Sequence, residues 1–188
     1  MTTYRVGVIV GSISANSINR RLATALERLS GQAGLELTEI PIRDLPLFDH
    51  DLEPDYPATA RDLKAAIAAA DAVLLVTPEY NRSVPGVLKN ALDWASRPKG
   101  TSPLAGKPSA VIGTSPGQVG TAVAQQHLRS ILSFLNSPEL AQPEAYVRTT
   151  PGLITDDGEV TDPGTADFLA RWLRAFRDHI ARELRPLG

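Results

Sequence analysis

Near-continuous apolar runs within residues 4–10, 72–77 and 107–113, each followed by a stretch of helical periodicity, constrain this chain more than any other feature. A strand with one wet face alternates apolar and polar residues, whereas a strand covered on both faces reads as unbroken apolar sequence. Val6 to Val10 and Ala72 to Val76 are of the second kind. A second strand is expected at 35–40 and a weak fifth at 145–148. Helical patterns occupy 17–29, 59–69, 84–96, 119–135 and 167–184, the last with Phe168, Leu169, Trp172, Leu173, Phe176 and Ile180 along one face. Residues 41–57, with four prolines, and 151–163, rich in Gly, Pro and Asp, read as irregular. Strands alternating with helices imply parallel pairing through right-handed crossovers. Five such units predict one α/β domain over 1–188. Its fold is a flavodoxin-like, doubly wound, five-stranded parallel sheet of order 2-1-3-4-5 with helices on both faces.

Composition removes several classes of function. The 188 residues carry a net charge of −2 and no cysteine, so general nucleic-acid binding, disulfides, thiolate metal sites and cysteine nucleophiles are not expected. No run has the roughly 20 apolar residues that a membrane span needs, and the first residues lack a basic and apolar leader. A cytoplasmic protein with neither membrane nor nucleic-acid partner is the expectation. His50, His127 and His179 have no metal-ligand spacing, and no metal is expected. Neither Ser12 nor Ser115 lies in a Gly-x-Ser-x-Gly nucleophile turn. Trp172 and Phe176 read as core and not as a cofactor stack.

In an open sheet of this order, ligands bind beyond the carboxyl ends of strands 1 and 3, where the strand order reverses. The loops after strands 1, 3 and 4 converge there. The first runs Gly11-Ser12-Ile13-Ser14-Ala15-Asn16-Ser17-Ile18-Asn19. It places small polar side chains beside the free N–H groups of a starting helix, a combination that favours phosphate. It has neither a Walker ending nor Gly-x-Gly-x-x-Gly, and Asn16 or Ser17 also serves as an ordinary helix cap. The second, Thr77-Pro78-Glu79-Tyr80-Asn81-Arg82-Ser83-Val84-Pro85-Gly86, is stiff and polar, suited to meet a flat heterocycle edge-on. The third, Gly113-Thr114-Ser115-Pro116-Gly117-Gln118, again opens a helix with small residues.

Gly11-Ser12 with Ser17 and Asn19, then Pro78-Glu79-Tyr80-Asn81 and Pro85-Gly86-x-x-Lys89-Asn90-Ala91-x-Asp93-Trp94, resembles the NADPH-dependent FMN reductase family. That family includes bacterial quinone and chromate reductases and azoreductase-like proteins. The resemblance implies a phosphate site at Ser12, Ser17 and Asn19, within a cradle that also takes in Gly11, Ser14 and Ile18. It implies that Pro78, Glu79, Tyr80 and Asn81 line the isoalloxazine, and that Ser115, Pro116 and Gly117 complete the pocket. Glu79 is read as a backbone and positioning residue, not a general base. Many relatives carry an Arg after the Gly-Ser pair, where this chain has Ile13-Ser14, leaving Arg20 or Arg82 as other sources of charge. Gln126-His127-Leu128-Arg129 resembles a segment that packs at a subunit interface, implying a homodimer or homotetramer.

The implied activity is a ping-pong transfer. NADPH or NADH passes a hydride to FMN, and a quinone, azo compound, free flavin or chromate then takes the electrons. The flavin carries the chemistry and no side chain is assigned a catalytic role. Two rival readings share the fold: an FMN electron carrier, which the modest net charge disfavours, and a flavin-free interaction protein, which the missing loop arginine favours.

Overall fold

A computed structural model describes residues 2–185. Val6 to Val10 of β1 (Tyr4–Val10) stand beside Ala72 to Val76 of β3 (Ala72–Val76) in parallel register. The other strands are β2 (Leu35–Glu39), β4 (Ser109–Ser115) and β5 (Tyr146–Arg148). All pair in parallel, in the order β2-β1-β3-β4-β5, as the alternation of elements predicts. Helices α1 (Ile18–Ser30), α2 (Ala58–Ala69), α3 (Gly86–Ala95), α4 (Ala122–Phe134) and α5 (Pro163–Glu183) link and cover the strands.

Side chains on successive strand positions point to opposite faces, so the apolar runs feed two cores. Val6, Val8, Val10, Leu74 and Ile112 pack against Leu22 and Leu26 of α1 and against Leu169, Trp172, Leu173 and Phe176 of α5. Ile9, Val73, Leu75 and Val111 pack on the other face against Leu63 and Ile67 of α2, Leu88 and Trp94 of α3, and Leu128 and Leu132 of α4. Trp172 and Phe176 are core residues, as expected, with Trp172 Nε1 donating to Pro143 O at 3.0 Å. The irregular segment 41–57 is pinned to α3, where Trp94 Nε1 and Asn90 Nδ2 both donate to Pro46 O, at 2.7 and 2.8 Å.

Of the boundaries that differ from expectation, four have a clear local reason. Helix α5 starts at Pro163 and not near 167, because Asp162 caps it by accepting from Thr165 N at 2.7 Å and proline suits the first turn. Strand β4 runs on to Ser115, which pairs with Arg148, so Thr114 and Ser115 belong to the strand and not to the loop. Helix α3 starts at Gly86, since Pro85 disfavours helical geometry in the residue before it. Helix α4 waits until Ala122, because Gly120 is left-handed (φ 58°) and lies against Tyr146.

Candidate functional site

The first loop leaves β1 through Gly11, whose N–H donates to Val76 O at 2.8 Å. A Cβ there would lie 2.9 Å from Leu88 Cδ2 and 3.3 Å from Pro78 Cδ, so glycine lets the first and second loops touch. Ser17 then caps α1, its Oγ accepting from Arg20 N at 3.3 Å. Ser12 Oγ lies 3.4 Å from Ser14 N. Both buried serines serve as acceptors here, which keeps their O–H groups available to donate to an anion at the helix N-terminus.

Asn19 has a use that its sequence position does not suggest. Its Nδ2 donates to Thr114 O and its Oδ1 accepts from Thr114 N, both at 2.9 Å. The amide is buried and braces the first loop to the end of β4; its second N–H lies beyond this pairing.

The arginines stand behind the cradle. Arg20 pairs with Glu39 and reaches Ser12 O at 3.4 Å, while Arg43 donates to Ile13 O. Arg82 pairs with Glu79 at 3.2 Å.

The second loop is wired tightly. Thr77 N–H donates to Ile112 O at 2.9 Å, continuing the β3–β4 ladder. Tyr80 and Ser83 exchange reciprocal backbone hydrogen bonds of 3.1 and 3.0 Å. The two residues between them, Asn81 and Arg82, are left-handed at φ 51° and 60°. Asparagine tolerates that region, whereas for arginine it costs about 1–2 kcal/mol. Glu79 Oε2 accepts from Val123 N and Ala124 N at 3.0 and 3.1 Å, and Ser83 Oγ lies 3.0 Å from His127 Nδ1. Tyr80 is half exposed at the mouth.

The third loop needs Gly113. A Cβ there would sit 2.1 Å from Thr77 O and 2.3 Å from Thr121 Oγ1. Beyond it, Ser115 Oγ accepts from Gly117 N at 3.1 Å.

The three loops enclose a cleft of about 250 Å³. Ser12, Ser14, Ser17, Ile18 and Asn19 line it from the first loop, Pro78, Glu79 and Tyr80 from the second, and Ser115 and Pro116 from the third. Three expected residues fall outside its lining. Gly11 is covered by Leu88 and Pro78, Asn81 lies out on the left-handed turn, and Gly117 is exposed past Ser115. Asn16 and Thr114 line the cleft as well. Thr114 Oγ1 is buried and has no hydrogen-bond partner among the described residues. The sequence places Thr114 in the third loop without marking it as a site residue, since only the extension of β4 past Gly113 buries its hydroxyl.

The strongly displaced titrations lie elsewhere. Burial, with help from Glu53, pushes Tyr56 up to about 12. Burial also pushes Glu139 up to about 7, with Arg129 opposing and Glu144 adding to it. Among the described residues, no three His, Asp or Glu side chains gather as a metal site and no helix is long and apolar enough to cross a membrane. A larger cavity, about 1070 Å³, lies between α3 and α4, floored by Leu92, Ile131 and Leu135 with Phe134 exposed at its edge.

Residues 4–151 match the family model described as NADPH-dependent FMN reductase. A 2-hydroxy-1,4-benzoquinone reductase from a Burkholderia species is 45% identical over 177 residues, covering 90% of this chain and 96% of that protein. A quinone reductase from Escherichia coli K12 is 41% identical over 182 residues, covering 95% and 96%. The solved structure of the flavoenzyme NAD(P)H:(acceptor) oxidoreductase FerB from Paracoccus denitrificans superposes with a TM-score of 0.92 at 44% identity, covering 96% of this chain and 99% of that one.

Proposed function

The chain belongs to the NADPH-dependent FMN reductase family, and from that premise we propose that it is an FMN-dependent NAD(P)H oxidoreductase with a quinone as acceptor. The observation that carries this reading is the cleft itself. Two serines with free O–H donors at a helix N-terminus face a stiff, polar loop, and between them Thr114 buries a hydroxyl that has no hydrogen-bond partner among the described residues. That donor set fits a phosphate ester joined through a polar chain to a flat ring. The relatives named for quinone reduction support the acceptor class.

When bound, FMN would supply the redox chemistry that links NAD(P)H to the acceptor. This chain's residues bind and orient it. Ser12, Ser14 and Ser17, with the N-terminus of α1, hold the phosphate by neutral donors. Asn19 keeps that cradle in register with β4, and Thr114 Oγ1 and Ser115 offer polar contacts in the wall between. The stretch from Pro78 to Tyr80 supports the ring edge, with Asn81 in the turn behind it. Pro116 closes the third side, while Gly11 and Gly117 act through backbone shape. Half-exposed Tyr80 leaves the outer side accessible to donor and acceptor in turn.

The protein works in the cytoplasm, where its NAD(P)H donor is available, and assembles as a homodimer or homotetramer. The groove between α3 and α4, with an apolar floor of Leu92, Ile131 and Leu135 inside a polar rim and the 89% exposed Phe134 beside it, supports assembly. Light scattering tests the assembly state. The function is tested by an absorbance spectrum after FMN loading and removal of excess, followed by anaerobic NADPH. A retained flavin band that bleaches, then returns on quinone addition, is expected. A retained band indifferent to both NADPH and NADH would instead mark an electron carrier.

A further inference from the structure

We infer that Glu79 is a positioning residue that holds the ring-side loop by capping α4, and does not act on the reacting atoms. A starting helix has free N–H groups that need acceptors. Thr121, the residue at the cap position of α4, makes no side-chain cap bond; its Oγ1 accepts from Gln125 Nε2 at 2.9 Å. The cap comes from 44 residues earlier in the chain, where Glu79 Oε2 accepts from Val123 N and Ala124 N. The carboxylate is 7% exposed, and its other oxygen faces Arg82 Nη1 at 3.2 Å. With both oxygens engaged it is badly placed to abstract a proton. It is well placed as an anion at the positive end of a helix.

A second tie lies one helical turn along, where Ser83 Oγ meets His127 Nδ1. The two ties bracket the turn that contains left-handed Asn81 and Arg82 and that presents Tyr80. Arg82 has no intrinsic preference for the left-handed region, so the turn depends on the reciprocal Tyr80–Ser83 bonds and on the fastening of both its ends to α4. The Glu79 carboxylate thus sets the place of Tyr80 through a helix and not by reaching the flavin. The consequence for FMN rests on the function proposed above; the fastening of the loop does not.

Both α4 bonds fall on one carboxylate oxygen, which makes the test selective. In Glu79→Gln the amide oxygen still accepts them, whereas Glu79→Ala removes them. The first readout is hydrogen exchange in FMN-free protein at the Tyr80 and Ser83 amides, which bond each other's carbonyls. Glu79→Ala is expected to speed both by about tenfold or more, with the Thr77 amide unchanged, and Glu79→Gln to retain the protection. Should Glu79→Ala fail to fold, Ser83→Ala cuts the second tie and is expected to loosen the same two amides. The second readout is FMN affinity by fluorescence quenching, expected to fall about tenfold in Glu79→Ala. Unchanged exchange at Tyr80 and Ser83, or acceleration spread evenly over the chain, overturns the inference. So does faster exchange with wild-type FMN affinity. A wild-type protein that binds no FMN overturns the proposed function, while the exchange result still decides the fastening of the loop.

Discussion

Asn19 and Thr114 hold one another by a matched pair of 2.9 Å hydrogen bonds, the side-chain amide of one against the peptide groups of the other. Asn19 lies in the first turn of α1 and Thr114 is next to the last residue of β4, so this pair joins the end of the first loop to the end of β4. Asn19→Ala leaves a buried peptide N–H and C=O without partners, at about 1–3 kcal/mol each. The expected loss is about 2–5 kcal/mol in a denaturant titration, accompanied by weaker FMN binding even where the protein remains folded. A loss below 1 kcal/mol would mean that water replaces the amide with little effect.

Ser12 and Ser17 separate binding from folding. Ser17 caps α1, so Ser17→Ala is expected to cost about 1 kcal/mol of stability as well as flavin affinity. Ser12 caps no helix, so Ser12→Ala is expected to weaken FMN by about tenfold with little change in stability. Thermal melts and flavin titrations on both variants check the contrast. Wild-type affinity in both would remove the serines from the phosphate site.

Tyr80 is exposed over half its surface and belongs to neither core. Tyr80→Ala is therefore expected to leave the thermal midpoint within a degree or two, on the order of 0.5 kcal/mol. Turnover with NAD(P)H and quinone is expected to fall. Steady-state rates per bound flavin provide the measurement, and equal rates would place Tyr80 away from the reacting partners.

Glu139 makes stability depend on pH. Its carboxyl is pushed up to about 7 by burial, against 4.5 when free, although Arg129 Nη1 lies 2.6 Å away. Between these values the folded protein keeps a proton that the unfolded chain releases. The contribution of this group to stability is thus full below pH 4.5, falls as pH rises toward 7, and is level above. Glu139→Gln, which resembles the protonated form, is expected to lack the decline. Denaturant midpoints from pH 4.5 to 8 on the two proteins test this, and parallel curves would assign the dependence to other groups.

Strand order, the layering of helices and the crevice were legible because they follow from apolar periodicity and from the handedness of crossovers. Trp172 and Phe176 were assigned to the core on spacing alone. The loops that form the cleft were legible for the same reason, since topology brings together the ends of β1, β3 and β4. Long-range polar wiring was not. The partner of Asn19 is a peptide group 95 residues away, and the helix that Glu79 caps has a threonine of its own at the cap position. Nothing local marks either pairing, because a side chain that satisfies a distant backbone group leaves no period in the sequence. The extension of β4 through Ser115 was missed because its partner strand is only Tyr146–Arg148.

Arg20 and Arg43 grip the carbonyl side of the first loop, and Arg20 is already balanced by Glu39. The charge that fixes the loop is thus turned to its carbonyls and to Glu39, and the cleft side of the loop offers hydroxyls and peptide N–H groups. Mobile ions screen exposed charges within about 8 Å at physiological ionic strength, yet do little to a short contact between neutral donors and an enclosed oxygen. On the proposed reading, a flavin held in this way is expected to stay bound as salt rises, whereas one clamped by guanidinium groups would be released.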